Sequence, residues 1–445
     1  MGVVVVVAMA AAACGGEPNS GPTTSSVPNV DVGGSSTSVT EPFVDGELVA
    51  VDLPRSHASV TGEELTAVVE GDRALGLDLL RVSGGDDNLM VSPYSVATAL
   101  SMLYPGARGR TAGEISDVMH LTVDEEILHV ARNAVDADLA SVPASDAEDD
   151  TRRPFELRPA NSAWGQGGYP FLEPYLETLA AYYGAGLRLV DYGEPVLATS
   201  MINRWTDQAT EGRIPDLIPA GAINEMTRLV LVNAIWFQAN WASQFQSELT
   251  EDGTFNLSDG TQVTVPLMHR EAKTEYAETE SFRAIRLPYA GEAAMIVALP
   301  KTQNPSELFE TLQTEDLNID WRVWLVDLAL PQFRFESELP LKDSLQALGM
   351  TAAFTPPFTG ADDEADFTGI TQLRTLFVSD AFHSASIAVD EHGTEAAAAT
   401  AIVIEEVSGA EPTTFTVDRP FIFWIEHTPT GTPLFIGQVT NPTIP

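Results

Sequence analysis

The sequence predicts an α+β protein with one large body. Three observations lead to this fold class: helical and strand patterns follow one another irregularly, several strands are apolar on both faces, and no composition break divides the chain after about residue 55. Of the 445 residues, 44% are hydrophobic, which is ample material for a core. Length alone leaves the number of domains open.

Two stretches have the features of helices. Residues 62–82 place leucines and valines at roughly helical spacing. Residues 92–104 begin with Ser92, a good N-cap, and with Pro93 at the first helical position, and an apolar face follows. Both segments are therefore predicted to be helices.

The predicted strands carry the large sheets. Residues 228–237 alternate little between polar and apolar side chains, which predicts a strand buried on both faces. Residues 294–300 and 325–335 are predicted as further strands, and the two segments 415–424 and 433–439 make the C-terminal end rich in strands.

The N-terminal residues have the features of a targeting segment. Residues 3–13 form an apolar run that is too short to span a membrane but suits a signal peptide. The run ends in small residues before Cys14, the single cysteine of the chain, so no disulfide forms within the chain. Small residues before a cysteine resemble a bacterial lipobox, in which the cysteine is acylated, so Cys14 is the expected lipidation site.

Two features depart from a lipobox: leucine is more usual three residues before the cysteine, and no Lys or Arg precedes the apolar run. A start codon upstream would explain the missing basic residues, and a plain signal peptide with an incidental cysteine is the alternative. The expected domains are residues 1–14 as signal peptide, 15–55 as a flexible tether rich in Gly, Pro, Ser and Thr, and 56–445 as the folded domain. The expected location is extracellular or periplasmic, anchored to a membrane through lipid only.

The charge of the chain excludes several partner classes. Only 23 basic residues oppose 64 acidic ones, which gives a net charge of −41. Such a surface argues against binding of nucleic acid, heparin-like polyanions and anionic membranes. Solubility or adaptation to salt is the plainer explanation of the charge.

No catalytic signature is present. The sequence lacks a G-x-S-x-G elbow, an H-E-x-x-H helix and a G-x-x-x-x-G-K-[ST] loop, and its seven histidines show no metal-ligand spacing. The glycine-rich residues 106–109 follow a predicted helix and are interpreted as a turn. No enzyme activity, cofactor or metal is expected.

Several segments resemble the serpin family, in order and at suitable spacing, over nearly all of residues 60–445. They are NLMVSPYS (88–95), the Asn203-Arg204-Trp205 segment with Thr210 and Gly212, LVLVNAIWF (229–237) with Trp241 and Phe245, LPQF (330–333), DRPF (418–421) and PLFIG (433–437). Each motif alone is weak, but their joint occurrence is specific.

The resemblance implies a serpin fold with three β-sheets, eight or nine helices and an exposed reactive-centre loop. It also implies inhibition of a serine protease by a covalent suicide mechanism. The protease cuts the loop and stays bound as an acyl-enzyme while the cut loop inserts into the central sheet. The native state must therefore be metastable, and a monomer is expected.

The segment that corresponds to the loop hinge has the composition that insertion requires. It contains Glu391, Gly393, Thr394, Glu395, Ala396, Ala397, Ala398, Ala399 and Thr400. Gly393 tolerates a change of backbone conformation. Because side chains alternate along a strand, Thr394, Ala396, Ala398 and Thr400 would face the body, and all are small. A short helix is the alternative, although seven residues are too few for a stable isolated one.

Other site residues follow only from the resemblance. Ser92, Ser95, Asn233 and His383 correspond to the shutter, the polar cluster under the central sheet where strands part. Trp241 corresponds to the tryptophan where the loop enters. Glu391 corresponds to a hinge carboxylate that often pairs with a lysine, but that position is Gln332 here. A neutral hydrogen bond is expected in place of the ion pair.

Two ways of counting residues give different positions for the bond that the protease cuts. Counting seventeen residues from the hinge carboxylate, as the resemblance implies, gives Val407-Ser408, whereas counting back from Pro420 gives a bond near Gly409. The forward count is preferred because the inserted strand needs a fixed length. Val407 suits an elastase-like or subtilisin-like protease, and a glutamate-specific protease cutting after Glu406 is the alternative. A non-inhibitory serpin that acts as a binding module is the rival function.

Overall fold

The computed structural model describes residues 48–49, 53–85, 87–141, 156–184, 186–302, 312, 320–357, 364–394 and 412–444. The elements whose bounds can be given within these ranges include two β-sheets and seven α-helices. The helices are α1 (Gly62–Ser83), α2 (Pro93–Leu103), α3 (Gly109–Val118), α4 (Glu125–Ser141), α5 (Glu173–Thr178), α6 (Pro195–Ala209) and α7 (Leu341–Ala347). A π-helical turn, Leu179–Tyr183, follows α5.

The strands form one sheet of seven and one of nine. In spatial order the seven-stranded sheet contains β1 (Leu48–Val49), β4 (Leu187–Val190), β3 (Glu156–Gln166), β5 (Leu229–Asn240), β13 (Gly393–Thr394), β12 (Asp380–Val389) and β11 (Phe333–Pro340). The nine-stranded sheet contains β14 (Thr413–Thr416), β10 (Arg322–Pro331), β7 (Gln262–Glu278), β8 (Phe282–Pro288), β9 (Ala293–Pro300), β15 (Phe421–His427), β16 (Thr432–Val439) and β2 (Leu89–Val91), with β6 (Glu251–Asn256) paired to β7.

The long strand β7 explains how three expected sheets appear as two. Residues 262–267 of β7 pair with β6, residues 267–276 pair with β10, and residues 275–278 pair with β8. Two small sheets are thereby joined edge to edge through one continuous strand of 17 residues. The α+β class and the large sheets are as the sequence predicts.

The predicted helices and the buried strand lie where the sequence places them. Thr61 caps α1 through a reciprocal pair of hydrogen bonds with Glu64. The Ser92 hydroxyl accepts a hydrogen bond from the Ser95 amide and caps α2, which begins at Pro93. Strand β5 is buried at all but one of its residues, because α6 covers one face of its sheet and α2 contacts the strand as well.

One predicted strand is wrong. Residues 325–335 are not a single strand, because β10 ends at Pro331 and β11 begins at Phe333 in the other sheet. Gln332 makes the crossing, and its amide donates to the carbonyl of Pro266. Proline cannot donate to a ladder, which suits the end of a strand.

Residues that precede position 56 also contact the folded domain. Within the stretch expected to be a tether, Leu48–Val49 pairs with β4 at the edge of the seven-stranded sheet, and Arg55 donates to Asp136 of α4 at 3.0 Å. Among the described residues, no helix has the length and apolar character needed to cross a membrane.

Candidate functional site

The centre of the candidate site is the seam between β5 and β12 in the seven-stranded sheet. These parallel strands pair directly over six positions, from Asp380 opposite Val230 to Ala385 opposite Ile235. Beyond that point they separate, and the two-residue strand β13 lies between them. One end of the seam is thus already open and occupied by Gly393 and Thr394.

Gly393 is required by the close approach of β5. A β-carbon at this position would overlap the carbonyl oxygen of Ala239 and lie 2.7 Å from the α-carbon of Asn240. Both obstacles are backbone atoms, which cannot move aside as a flexible side chain does. Only glycine lets the chain enter the sheet here.

Thr394 is the first hinge side chain inside the sheet. It is 1% exposed, and its hydroxyl lies 2.7 Å from the hydroxyl of Tyr289, which is 2% exposed. The Tyr289 ring stacks on Trp241 with a centroid distance of 4.4 Å. Thr394 therefore contacts the stacked aromatic pair of Tyr289 and Trp241.

The turn after β5 holds the hinge through backbone bonds. The Trp241 amide donates to the carbonyl of His392 at 2.8 Å, and its indole nitrogen donates to the carbonyl of Asp390 at 2.9 Å. The Phe245 amide donates to the carbonyl of Glu391 at 2.9 Å. Trp241 therefore contacts the backbone of the segment that leads into Gly393.

The Glu391 carboxylate is held by two neutral donors. Gln332 donates from Nε2 at 2.7 Å, and the Thr250 hydroxyl donates to the other oxygen at 2.6 Å. The neutral bond expected for Gln332 is therefore present. Sequence reasoning missed Thr250, because nothing in its local pattern marks a contact with a residue 141 positions away.

A buried hydrogen-bond chain crosses the seam beneath these strands. The Ser92 amide donates to His383 Nε2 at 3.0 Å, and the other ring nitrogen, Nδ1, bonds to the Asn233 side-chain oxygen. The amide nitrogen of Asn233 donates to Ser95 Oγ and to Asn161 Oδ1, both at 2.9 Å. All four predicted shutter residues are thus in one network.

His383 is neutral in this network. Its Nε2 accepts from an amide, so the ring proton lies on Nδ1 and is donated to Asn233. Burial lowers the pKa of His383 to about 4, because the charged form would be desolvated. His383 is on β12 and Asn233 on β5, so opening the seam must break their bond.

Asn161 on β3 is a fifth member that the sequence analysis missed. It lies opposite Asn233 in the register of β3 and β5. An asparagine inside a strand that is mostly buried in its second half was the available signal.

Several predicted site residues lie outside the described residues. They are the hinge residues Glu395, Ala396, Ala397, Ala398, Ala399 and Thr400, the candidate cleavage residues Glu406, Val407 and Ser408, and Cys14. Across the described ranges, no group of three or more His, Cys, Asp or Glu side chains is arranged to hold a metal ion.

Comparison with known proteins identifies the family. The family profile described as Serpin (serine protease inhibitor) matches residues 71–442. An uncharacterized serpin-like protein of Thermococcus kodakarensis is 37% identical over 400 residues, which cover 88% of this chain and 89% of that protein. The human leukocyte elastase inhibitor is 33% identical over 371 residues, which cover 80% of this chain and 93% of the inhibitor.

Solved structures agree with this assignment. Serpin48 of the insect Tenebrio molitor is 30% identical with a TM-score of 0.72, covering 85% of this chain and 98% of its own. The thermophilic serpin tengpin in its native state is 25% identical with a TM-score of 0.75, covering 89% and 100%. With a seam that a hinge already enters and a profile that spans most of the chain, this protein belongs to the serpin family.

Proposed function

We propose that this protein inhibits serine proteases by offering its reactive-centre loop as a substrate and trapping the protease as an acyl-enzyme. The observation that carries the proposal is the position of the hinge. Gly393 and Thr394 already form a strand between β5 and β12, at the point where these two strands separate. The family and the elastase-inhibitor relatives support the same activity.

The chemistry proceeds in one covalent step and one conformational step. The protease serine Oγ attacks the carbonyl carbon of the residue before the cut bond, the peptide bond breaks, and the new amino group leaves with a proton. The serine then holds the loop through an ester. Insertion of the freed loop carries the protease away and distorts it before water hydrolyses the ester.

The seam sets the energetics of insertion. Opening it breaks a ladder of six register pairs between β5 and β12. At about 0.5–1.5 kcal/mol net for each hydrogen bond, this costs roughly 3–9 kcal/mol. A new strand bonded on both sides over the same length forms two ladders in place of one, so insertion more than offsets the opening.

The proposed target is an elastase-like or subtilisin-like protease that cuts Val407-Ser408. A small apolar residue before the bond suits such enzymes, and the relatives named leukocyte elastase inhibitor support this class. Mass spectrometry of the C-terminal peptide released from the complex tests the position. A fragment that begins at Ser408 supports it, one that begins at Val407 indicates the glutamate-specific alternative at Glu406, and one that begins at Ala410 contradicts the forward count.

Denaturing gels with a panel of serine proteases test the function itself. An inhibitor gives a covalent band near the summed mass of protein and protease. A catalytically dead protease, with its nucleophilic serine replaced by alanine, is the control and gives no such band. Cleavage without any covalent band across the panel would contradict the proposal and favour a non-inhibitory binding module.

We also propose that the chain is a secreted lipoprotein, anchored through Cys14. The apolar residues 3–13 and the small residues before the cysteine support this. Expression in bacteria with a radiolabelled fatty acid tests the proposal. The wild-type protein takes up label and a Cys14→Ser variant does not, whereas an unlabelled wild-type protein would indicate a plain signal peptide.

A further inference from the structure

We propose that Arg270 is a positioning residue for the hinge, and that it acts by fixing the conformation of the turn that follows β5, residues 241–245. This inference rests on the proposed inhibitory function. Arg270 lies on β7 of the nine-stranded sheet, whereas the hinge enters the seven-stranded sheet. Its side chain therefore connects the second sheet to the turn that carries the hinge bonds.

Arg270 makes two contacts with this turn. The Arg270 guanidinium carbon lies 4.9 Å from the centroid of the Phe245 ring. One guanidinium nitrogen, Nη1, donates a hydrogen bond to the carbonyl of Ser243. A cation over an aromatic face combined with a bond to the carbonyl two residues earlier fixes the conformation of the turn between them.

The held turn is the one that binds the hinge backbone. The Phe245 amide donates to Glu391, and the Trp241 amide at the start of the same turn donates to His392. Phe245 also contacts Trp241 edge to face, with ring centroids 6.3 Å apart. If the turn from Trp241 to Phe245 loosened, the hydrogen bonds from these two amides to the hinge and the contact between the two rings would weaken together.

The environment of Arg270 suits this role better than a surface ion pair. Among the residues that the structure describes, Arg270 has no ion-pair partner, and its Nε atom is buried without a hydrogen-bond partner. Burial lowers the pKa of Arg270 to about 10, so the side chain keeps its charge at neutral pH. In a chain with only 23 basic residues, this cation faces an aromatic ring and a carbonyl.

The test compares Arg270→Met with the conservative Arg270→Lys and with a matched control. Arg283→Met is the control, because Arg283 also combines a ring contact, 5.5 Å to Phe415, with a bond to a backbone carbonyl, Thr414 at 3.2 Å, but contacts none of the hinge. The first measurement is the number of inhibitor molecules consumed for each protease trapped. The second is hydrogen exchange at the amides of Trp241 and Phe245 in the uncut protein.

The proposal predicts that Arg270→Met consumes at least about three times as much inhibitor per trapped protease and speeds exchange at both amides by at least about threefold. Arg270→Lys and Arg283→Met stay near the wild type in both measurements. The proposal is overturned if Arg270→Met leaves exchange and consumption unchanged, or if Arg283→Met has the same effects. If the wild type traps no protease at all, the proposed function fails, while the exchange measurement still decides the role of Arg270.

Discussion

Replacing Thr394 with arginine should convert the inhibitor into a substrate. Thr394 is 1% exposed and is hydrogen-bonded to the hydroxyl of Tyr289, whose ring stacks on Trp241. An arginine at this position would have to bring its charge into that site. The hinge would be expelled from the sheet, and the two-residue strand β13 from which insertion starts would be lost.

The magnitude follows from what the variant leaves unpaired. Loss of the bond to Tyr289 costs about 1 kcal/mol. An uncompensated buried charge costs about 3–5 kcal/mol. At 1.36 kcal/mol for each factor of ten, a penalty of about 4 kcal/mol slows insertion roughly 1000-fold, so deacylation wins. Thr394→Val is the matched control, because it replaces the hydroxyl with a methyl group of similar size, adds no charge, and should slow insertion about fivefold.

Titration of the target protease with each variant, followed by denaturing gels, measures the result. The wild type is expected to give mainly the covalent band, Thr394→Val a mixture, and Thr394→Arg only the cleaved inhibitor. An unchanged yield of covalent complex for Thr394→Arg would refute the assignment of the hinge.

Two further variants test other parts of the site. Gly393→Ala should abolish hinge entry, because its methyl group would overlap the carbonyl oxygen of Ala239, and the covalent band should be lost; a normal yield would show that the β5 backbone gives way. His383 has a folded pKa of about 4 against 6.5 when exposed, so the unfolded chain binds more protons between these values, and stability, complete above pH 6.5, falls as the pH drops toward 4. The free energy of unfolding is expected to fall by about 2 kcal/mol between pH 7 and pH 5 because of His383, and urea unfolding at the two pH values measures this loss. His383→Gln should show a shallower loss over that range, and an equally steep loss would contradict the assignment.

Local sequence patterns predicted the elements that depend on local physics. The unbroken apolar run of β5 indicated burial on both faces, and Ser92 with Pro93 marked the start of α2. The break at Gln332 was not predictable from hydrophobicity alone, because apolar residues stand directly on either side of it, Pro331 and Phe333. What ends β10 there is the passage of the chain from one sheet to the other.

The site residues that were missed depend on contacts between distant parts of the chain. Thr250 bonds to a carboxylate 141 residues away, and Asn161 bonds to Asn233 across 72 residues. Tyr289 reaches Thr394 across 105 residues. Nothing near these residues in the sequence specifies a partner, so their roles emerge only when the sheets bring them together.

Thermal unfolding before and after a single cut in the loop tests whether the seam between β5 and β12 accepts the cut loop. If the seam between β5 and β12 is built to accept the loop, cutting relieves the metastable state and completes the sheet. We expect the cut protein to melt on the order of 10 °C or more above the intact protein. A cut protein that melts at the same temperature or lower would show that the loop does not insert into the sheet.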